Sequence, residues 1–200
     1  MSKKFTEMSK EELWQLFPIE LCPPNSAWNT WYDEEKTDLT KMLPKNVQIY
    51  HIGSTAIENI WAKPIIDLLI ESNLSDFSAI DDILLKNGYL CMNTEKSRKD
   101  YNKGYTEKGF SQRVFHLHLR VFGDHDELYF RDYLNIHPKI AVQYEDLKLH
   151  LWKQFEHNRD KYTESKGDFI QFYTIKAKNE LGNRYEKRQD DDSENDNRLE

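Results

Sequence analysis

The stretch that most constrains this chain is residues 47–71, VQIYHIGSTAIENIWAKPIIDLLIE. Val47, Ile49, Tyr50 and Ile52 suit a pleated, buried surface, so a strand is expected there. Gly53 can take dihedrals closed to other residues, and Ser54 and Thr55 bring hydroxyls to a turn that leaves backbone N–H groups unpaired. Small side chains on such a turn leave donors accessible to an anion. After a short crossover, Ile65, Ile66, Leu68, Leu69 and Ile70 are apolar on both parities, as in a central strand. Asp67 interrupts that run. A carboxylate inside such a strand is costly unless a cation, a donor or water meets it.

Around this stretch the apolar periods change from two to three and four. Ser9-Lys-Glu-Glu12 is a capping-box pattern before Leu13, Trp14, Leu16 and Phe17, and predicts a short helix docked by its aromatic face. Trp28, Trp31, Tyr32, Leu39 and Met42 keep helical spacing over residues 27–43. Ser75 can cap a helix running to about Lys86, and residues 89–92 read as a third strand. Residues 97–104 are expected to form the first arm of a hairpin whose second arm is 113–121. In that second arm Phe115, Leu117, Leu119 and Val121 alternate with His116, His118 and Arg120, the clearest strand signal in the chain. Asp124-His-Asp-Glu127 resembles another helix start, and Pro138 suits the first turn of the next helix. Ile140, Tyr144, Leu147 and Leu151 give an inward stripe through about Phe155, and a last helix follows Lys166. The expected fold class is α+β, a mixed sheet flanked by helices with a helical C-terminal half. One domain is expected over residues 1–185, followed by an acidic, disordered tail at 186–200.

The formal charge of −7 argues against a general nucleic-acid surface, because phosphate backbones need a cationic face. Residues 186–200 hold seven acids against three bases, so the rest of the chain is only mildly acidic and has room for a basic pocket. Cys22 and Cys91 are far apart and unpaired by spacing, which fits reduced thiols. With neither a leader-like segment nor a long apolar run, the expectation is a cytoplasmic protein away from membranes, of unspecified oligomeric state.

Two clusters carry the candidate chemistry. Gly53, Ser54 and Thr55 form a candidate phosphate turn, or merely a turn with a capping serine. Asp67 is a candidate magnesium ligand, since hard cations want carboxylate and phosphate oxygens; the plainer alternative is a pairing with Lys63. Lys63 could instead neutralise a phosphate near Ser54. In the second cluster, His116 and His118 point the same way from one strand, as in several zinc and manganese sites. With His51 and Asp67 they could make a metal centre, or act as general acid and base near pH 7. Arg120 shares their face. Lys103, Arg113, Arg131, Lys148 and Lys166 form a looser basic group able to close around an anion.

The chain resembles the GrpB-like family, described as predicted nucleotidyltransferases. The resemblance rests on His51-Ile-Gly-Ser-Thr-Ala56, Ala62-Lys-Pro-Ile-Ile-Asp67, Asn102-Lys-Gly-Tyr105 and Val114-Phe-His-Leu-His-Leu-Arg120. It continues through Phe130-Arg-Asp-Tyr-Leu134, His137-Pro138 and Tyr162-Thr-Glu-Ser-Lys166, spanning roughly residues 11 to 175. It implies a nucleotidyltransferase-like fold that binds a nucleotide or phosphorylated small molecule, with triphosphate at Gly53-Ser54. A divalent metal at Asp67 is also implied, magnesium first and manganese or zinc as alternatives. In the wider superfamily two acids alternate on this strand, whereas here the partner position is Leu69. Glu71 lies about 13 Å from Asp67 along an extended strand, too far to share its metal. The rival readings are therefore a catalytically inactive nucleotide- or phosphate-binding module, and a His/Asp transition-metal hydrolase built on His51, Asp67, His116 and His118.

Overall fold

The computed structural model describes residues 5–185; the expected acidic tail at 186–200 lies outside the described residues. Five strands form one mixed sheet in the order β1-β2-β5-β4-β3, with β1 Gln48–Ile52, β2 Ile65–Ser72, β3 Leu90–Thr94, β4 Arg98–Thr106 and β5 Gly109–Val121. β2 and β5 run parallel at the centre, and every other neighbouring pair is antiparallel. A parallel pair needs a crossover, and the chain between β2 and β5 supplies it with a helix and the strands β3 and β4.

The register decides which side chains share a face. Ile52 pairs with Asp67, Asp67 with His116, and His116 with Asn102. One step along, Leu69 pairs with His118 and His118 with Asp100. Directly opposed residues point to the same side of a sheet, so Asp67, Leu69, His116, His118 and Arg120 share one face. Their neighbours Ile66, Leu68, Leu117 and Leu119 take the other. That other face is covered by α2 (Ala27–Met42) and α3 (Phe77–Lys86), which bury Trp28, Leu39, Ile80 and Leu84 against it. Each such aliphatic side chain contributes about 1.5–3 kcal/mol by leaving water.

The polar face is met by the C-terminal helices α4 (Asp126–Ile136), α5 (Pro138–Phe155), α6 (Arg159–Glu164) and α7 (Gly167–Leu181). Tyr129, Phe130, Tyr133, Leu134, Tyr144 and Ala177 form their own core, which also takes in Ile57 and Ile60 of the β1–β2 crossover. Leu128 reaches the sheet itself and packs with Ile52 and Leu69. The expected α+β class, with its helical C-terminal half, is what the structure has.

Several local expectations need adjustment. The capping box before α1 (Lys10–Leu16) is present, Ser9 Oγ accepting from Glu12 N–H and the Glu12 carboxylate accepting from Ser9 N–H. However, α1 buries no residue fully, so its aromatic face is only partly docked. Ser75 does not cap α3; it sits inside a 3-10 turn, Leu74–Asp76, that precedes the helix. Asp124 does not cap α4 either, because both its oxygens accept from Arg98 at 2.5 and 2.7 Å. A bidentate guanidinium contact outcompetes a single backbone N–H. The hairpin arm β5 starts four residues earlier than its alternation indicates, since residues 110–113 are exposed on both sides.

Candidate functional site

The glycine of the Gly53–Ser54 turn is required by the carboxylate behind it. Gly53 has φ +71°, and a Cβ added there would lie 2.2 Å from Asp67 Oδ2. Left-handed backbone and direct contact with Asp67 therefore both demand glycine. Behind the turn, Thr55 is buried and donates its hydroxyl proton to Ile65 O at 3.2 Å, while His51 Nε2 donates to Thr55 Oγ1 at 3.0 Å. Polar side chains of the C-terminal helices hold the crossover from the other side. Asn135 donates to Ala56 O and accepts from Glu58 N–H, at 3.0 and 2.9 Å. Glu145 accepts from Trp61 N–H, and Lys148 donates to Trp61 O. The turn is thus fixed by α4 and α5 as well as by its own strand.

Asp67 is the centre of a row of ionisable side chains across the sheet. His116 Nδ1 lies 3.3 Å and His118 Nε2 3.6 Å from Asp67 Oδ1. His118 Nδ1 lies 2.9 Å from Asp100 Oδ1, which also accepts from Arg120 Nη2 at 2.6 Å. With a carboxylate at each ring nitrogen, His118 resists the discharging effect of burial and is pushed up to about 9, so it is an imidazolium at neutral pH. Burial works to raise the Asp67 pKa as well, but the two imidazoles outweigh it and hold the carboxyl far below its usual range.

His116 is different. Its Nε2 is 2.8 Å from Tyr105 Oη, and Arg159 Nη2 donates to that same oxygen at 3.0 Å. With Arg159 donating, the tyrosine proton is directed to His116 Nε2, leaving the ring proton on Nδ1 facing Asp67. Burial lowers the His116 pKa more than Asp67 raises it, consistent with this neutral tautomer.

Above this row opens a cleft of about 770 Å³. Gly53, Ser54, Asp67, His116 and His118 line its floor; Phe130, Tyr144, Tyr162 and Ile170 form apolar walls. Five cations line it. Lys178 of α7 pairs at 2.5 Å with Asp126, which lines the cleft beside Glu127. The other four come from separate elements: Lys63 from the crossover, Lys148 from α5, Arg159 from α6 and Lys166 from the turn before α7. Among the described residues no carboxylate lies within ion-pair distance of any of those four. Aromatic faces meet the ammonium groups instead. Lys166 and Lys63 lie 4.4 and 5.5 Å from the centre of the Tyr162 ring, and Lys148 4.9 Å from that of Tyr144. Burial, reinforced by repulsion from Lys166 and Arg159, pushes Lys63 down to about 7. Burial and Lys166 bring Lys148 to about 7. Burial pushes Lys166 down to about 8, although Asp67 works against the shift.

Of the residues singled out from sequence, the structure brings together Gly53, Ser54, Lys63, Asp67, His116, His118, Lys148 and Lys166 in this cleft. The others do different work. Lys103 pairs with Glu35 at 2.5 Å on the opposite side of the sheet, and Arg113 pairs with Glu34 of α2. Arg120 is buried and braces Asp100. Arg131 donates to His51 O at 2.7 Å and so ties α4 to the end of β1. Arg159 and Tyr144 line the cleft without having been singled out as ligand groups.

A four-ligand metal centre is not assembled. His51 pairs with Leu68, and so faces away from Asp67; there it stacks on Tyr32 at 4.6 Å. Its Nε2 is spent on Thr55, and burial pushes it down to about 4. His118 has an acid at each ring nitrogen, Asp100 at 2.9 Å from Nδ1 and Asp67 at 3.6 Å from Nε2. Among the described residues no three His, Cys, Asp or Glu side chains converge on a point suited to a metal ion. Leu69, at the position of a second acid, is fully buried against Ile52 and Leu128. Asp67 has one oxygen engaged by imidazoles and the other against Gly53. The side chains present do not fit the divalent-metal site implied by an acid pair.

Comparisons with known proteins agree on one family. The family model described as GrpB protein matches residues 18–176. The UPF0157 protein YqkA of Bacillus subtilis is 35% identical over 83% of this chain, and the chain spans about half (50%) of that relative's length. The crystal structure of the conserved protein GrpB from Enterococcus faecalis superposes with a TM-score of 0.71 at 29% identity, over 81% of this chain and 99% of that one. A likeness to the Cid1 poly(U) polymerase bound to MgGTP is remote, at 14% identity and a TM-score of 0.46 over 72% of this chain and 46% of that one. It carries no weight here.

Proposed function

The chain belongs to the GrpB family, and from that premise we propose that it binds a nucleotide or another phosphorylated small molecule in the cleft above Asp67. One observation carries the reading. Three lysines and an arginine line the same cleft as the Gly53–Ser54 turn with no ion-paired carboxylate among the described residues, an arrangement that costs stability in the free protein and is relieved by a bound anion. The Tyr144 and Tyr162 rings beside them suit a base or other planar group.

The binding reading is preferred to nucleotidyl transfer for a chemical reason. Activating an acceptor hydroxyl needs a base with a free lone pair, and the Nε2 lone pair of His116 is committed to Tyr105 while His118 is already protonated. His118 instead adds positive charge to the cleft floor. A transition-metal hydrolase is disfavoured because His51 stands on the opposite face of the sheet.

Thermal unfolding against nucleoside mono-, di- and triphosphates and sugar phosphates tests the proposal. A ligand at one hundred times its Kd stabilises the fold by about 2.7 kcal/mol, a plain upward shift of Tm. The shift is expected to disappear in Lys63→Met and Lys166→Met. No shift with any phosphorylated compound, or an undiminished shift in both variants, would overturn the reading.

A further inference from the structure

We propose that the cleft takes its phosphorylated ligand as a free anion, Lys63, Lys148, Lys166 and Arg159 together supplying the charge that a divalent cation supplies in an acid-pair site. The inference rests on the phosphate-binding reading above and gives it a distinct recognition chemistry.

The geometry supports it from two sides. A metal-bridged phosphate needs protein carboxylates with oxygens to spare. Here Leu69 removes one carboxylate of the pair, His116 and His118 stand 3.3 and 3.6 Å from Asp67, and Asp126 is paired with Lys178. Among the described residues no three acid, histidine or cysteine side chains, Glu127 of the cleft lining included, converge on a metal-sized point. The cations, by contrast, are in excess. They come from four points on the chain, and two of them, Lys63 and Lys166, share the Tyr162 ring. Of the acids lining the cleft, Asp67 has two imidazoles at 3.3 and 3.6 Å and Asp126 has Lys178 at 2.5 Å.

Proton uptake is the signature that separates this arrangement from a metal-bridged one. The groups facing the three lysines are Asp67, His116 and His118 from the sheet, Asp126 and Glu127 from α4, Tyr144 and Glu145 from α5, Arg159 and Tyr162 from α6, and Lys178 from α7, the last paired with Asp126. Burial is the first cause that holds each lysine below its ordinary value. Lys166 lowers Lys63 and Lys148 further, with Glu145 opposing at Lys148, while at Lys166 Asp67 opposes the shift and Arg159 adds to it. A phosphate placed among them reverses the sign of the local field, and the ammonium forms are restored. Binding at pH 8 is therefore expected to take up roughly one to two protons per ligand, and affinity to fall roughly ten- to a hundred-fold per pH unit above that.

The experiment is isothermal titration calorimetry of the full chain with ATP and with inorganic tripolyphosphate at pH 8. Each is measured in EDTA and in saturating magnesium, and in two buffers of different ionisation enthalpy. Binding in EDTA at least as tight as in magnesium, with net proton uptake that drops in Lys166→Met, is the expected result. Binding that appears only with magnesium, or without proton uptake, would overturn metal-free recognition and leave the phosphate reading standing. Absence of binding under both conditions would overturn both. Circular dichroism of Lys166→Met shows whether a lost signal reflects lost folding, and Lys166→Arg, which keeps the charge but cannot release its proton, is expected to bind with reduced proton uptake.

Discussion

Lys166→Met should stabilise the free protein while destroying its ability to respond to ligand. Lys166 stands half-buried in the turn before α7, with its ammonium over Tyr162 and no acid in ion-pair range among the described residues. Its pKa is pushed from an ordinary 10.5 down to about 8. At about 1.4 kcal/mol per pKa unit this bounds the cost of holding the charge near 3 kcal/mol. Solvent reaching the side chain and the lost cation–π contact reduce the expected gain to about 1–2 kcal/mol. Methionine keeps the stem packing and places a thioether against the ring. The sign follows from proton counts. Between the folded pKa near 8 and the unfolded value of 10.5 the unfolded chain holds more protons, so the wild type gains stability as pH rises through that window. The advantage of Lys166→Met should thus be full at pH 6–7 and fade towards pH 10. Urea unfolding at pH 6.5 and 9.5 reads it; with m near ~2 kcal/mol/M the midpoint shifts by roughly 0.5–1 M at the lower pH. A variant less stable than wild type at pH 6.5 would refute the claim that this cation is stored strain awaiting an anion.

Gly53→Ala should cost about 3 kcal/mol or fail to fold, because its Cβ would meet Asp67 Oδ2 at 2.2 Å in a left-handed backbone; chemical denaturation measures it. NMR titration should find His118 still protonated near neutrality, titrating near 9, while His51 stays neutral to about 4. The His118 contribution to stability is complete below the unfolded value of 6.5 and is lost as pH rises through about 9; Asp100→Asn should lower its pKa by a unit or more. Leu69→Asp, which restores the missing acid, should not create magnesium binding. It should destabilise the fold by about 2 kcal/mol or more, since Leu69 is buried among Ile52 and Leu128.

Much of the site's floor was legible in the sequence because strands repeat every two residues. The alternation of Phe115, Leu117 and Leu119 with His116, His118 and Arg120 placed both histidines on one polar face, and the Gly-Ser turn and Asp67 stood out as anomalies in an apolar context. What parity within one strand does not contain is the register between strands. The pairing of His51 with Leu68 turns that histidine away from Asp67, and nothing local announces it. The roof comes from helices distant in sequence. Lys148 did carry a signal: four residues after Tyr144 and three before Leu151, it lies on the inward stripe of α5, where a lysine is out of place. Arg159 carried none, because α6 is a six-residue helix too short to show a period. The expected basic group failed elsewhere for a common reason. Lys103 and Arg113 found glutamates on α2, and a cation with a local acid is no longer available to a ligand.

The most direct test of the account is a crystal structure of the protein soaked with ATP in the presence of EDTA. Phosphate density is predicted beside Ser54, within hydrogen-bond reach of Lys63 and Lys166, with no metal between it and Asp67. Density for phosphate anywhere else, or only after magnesium is added and then bridging to Asp67, would contradict it.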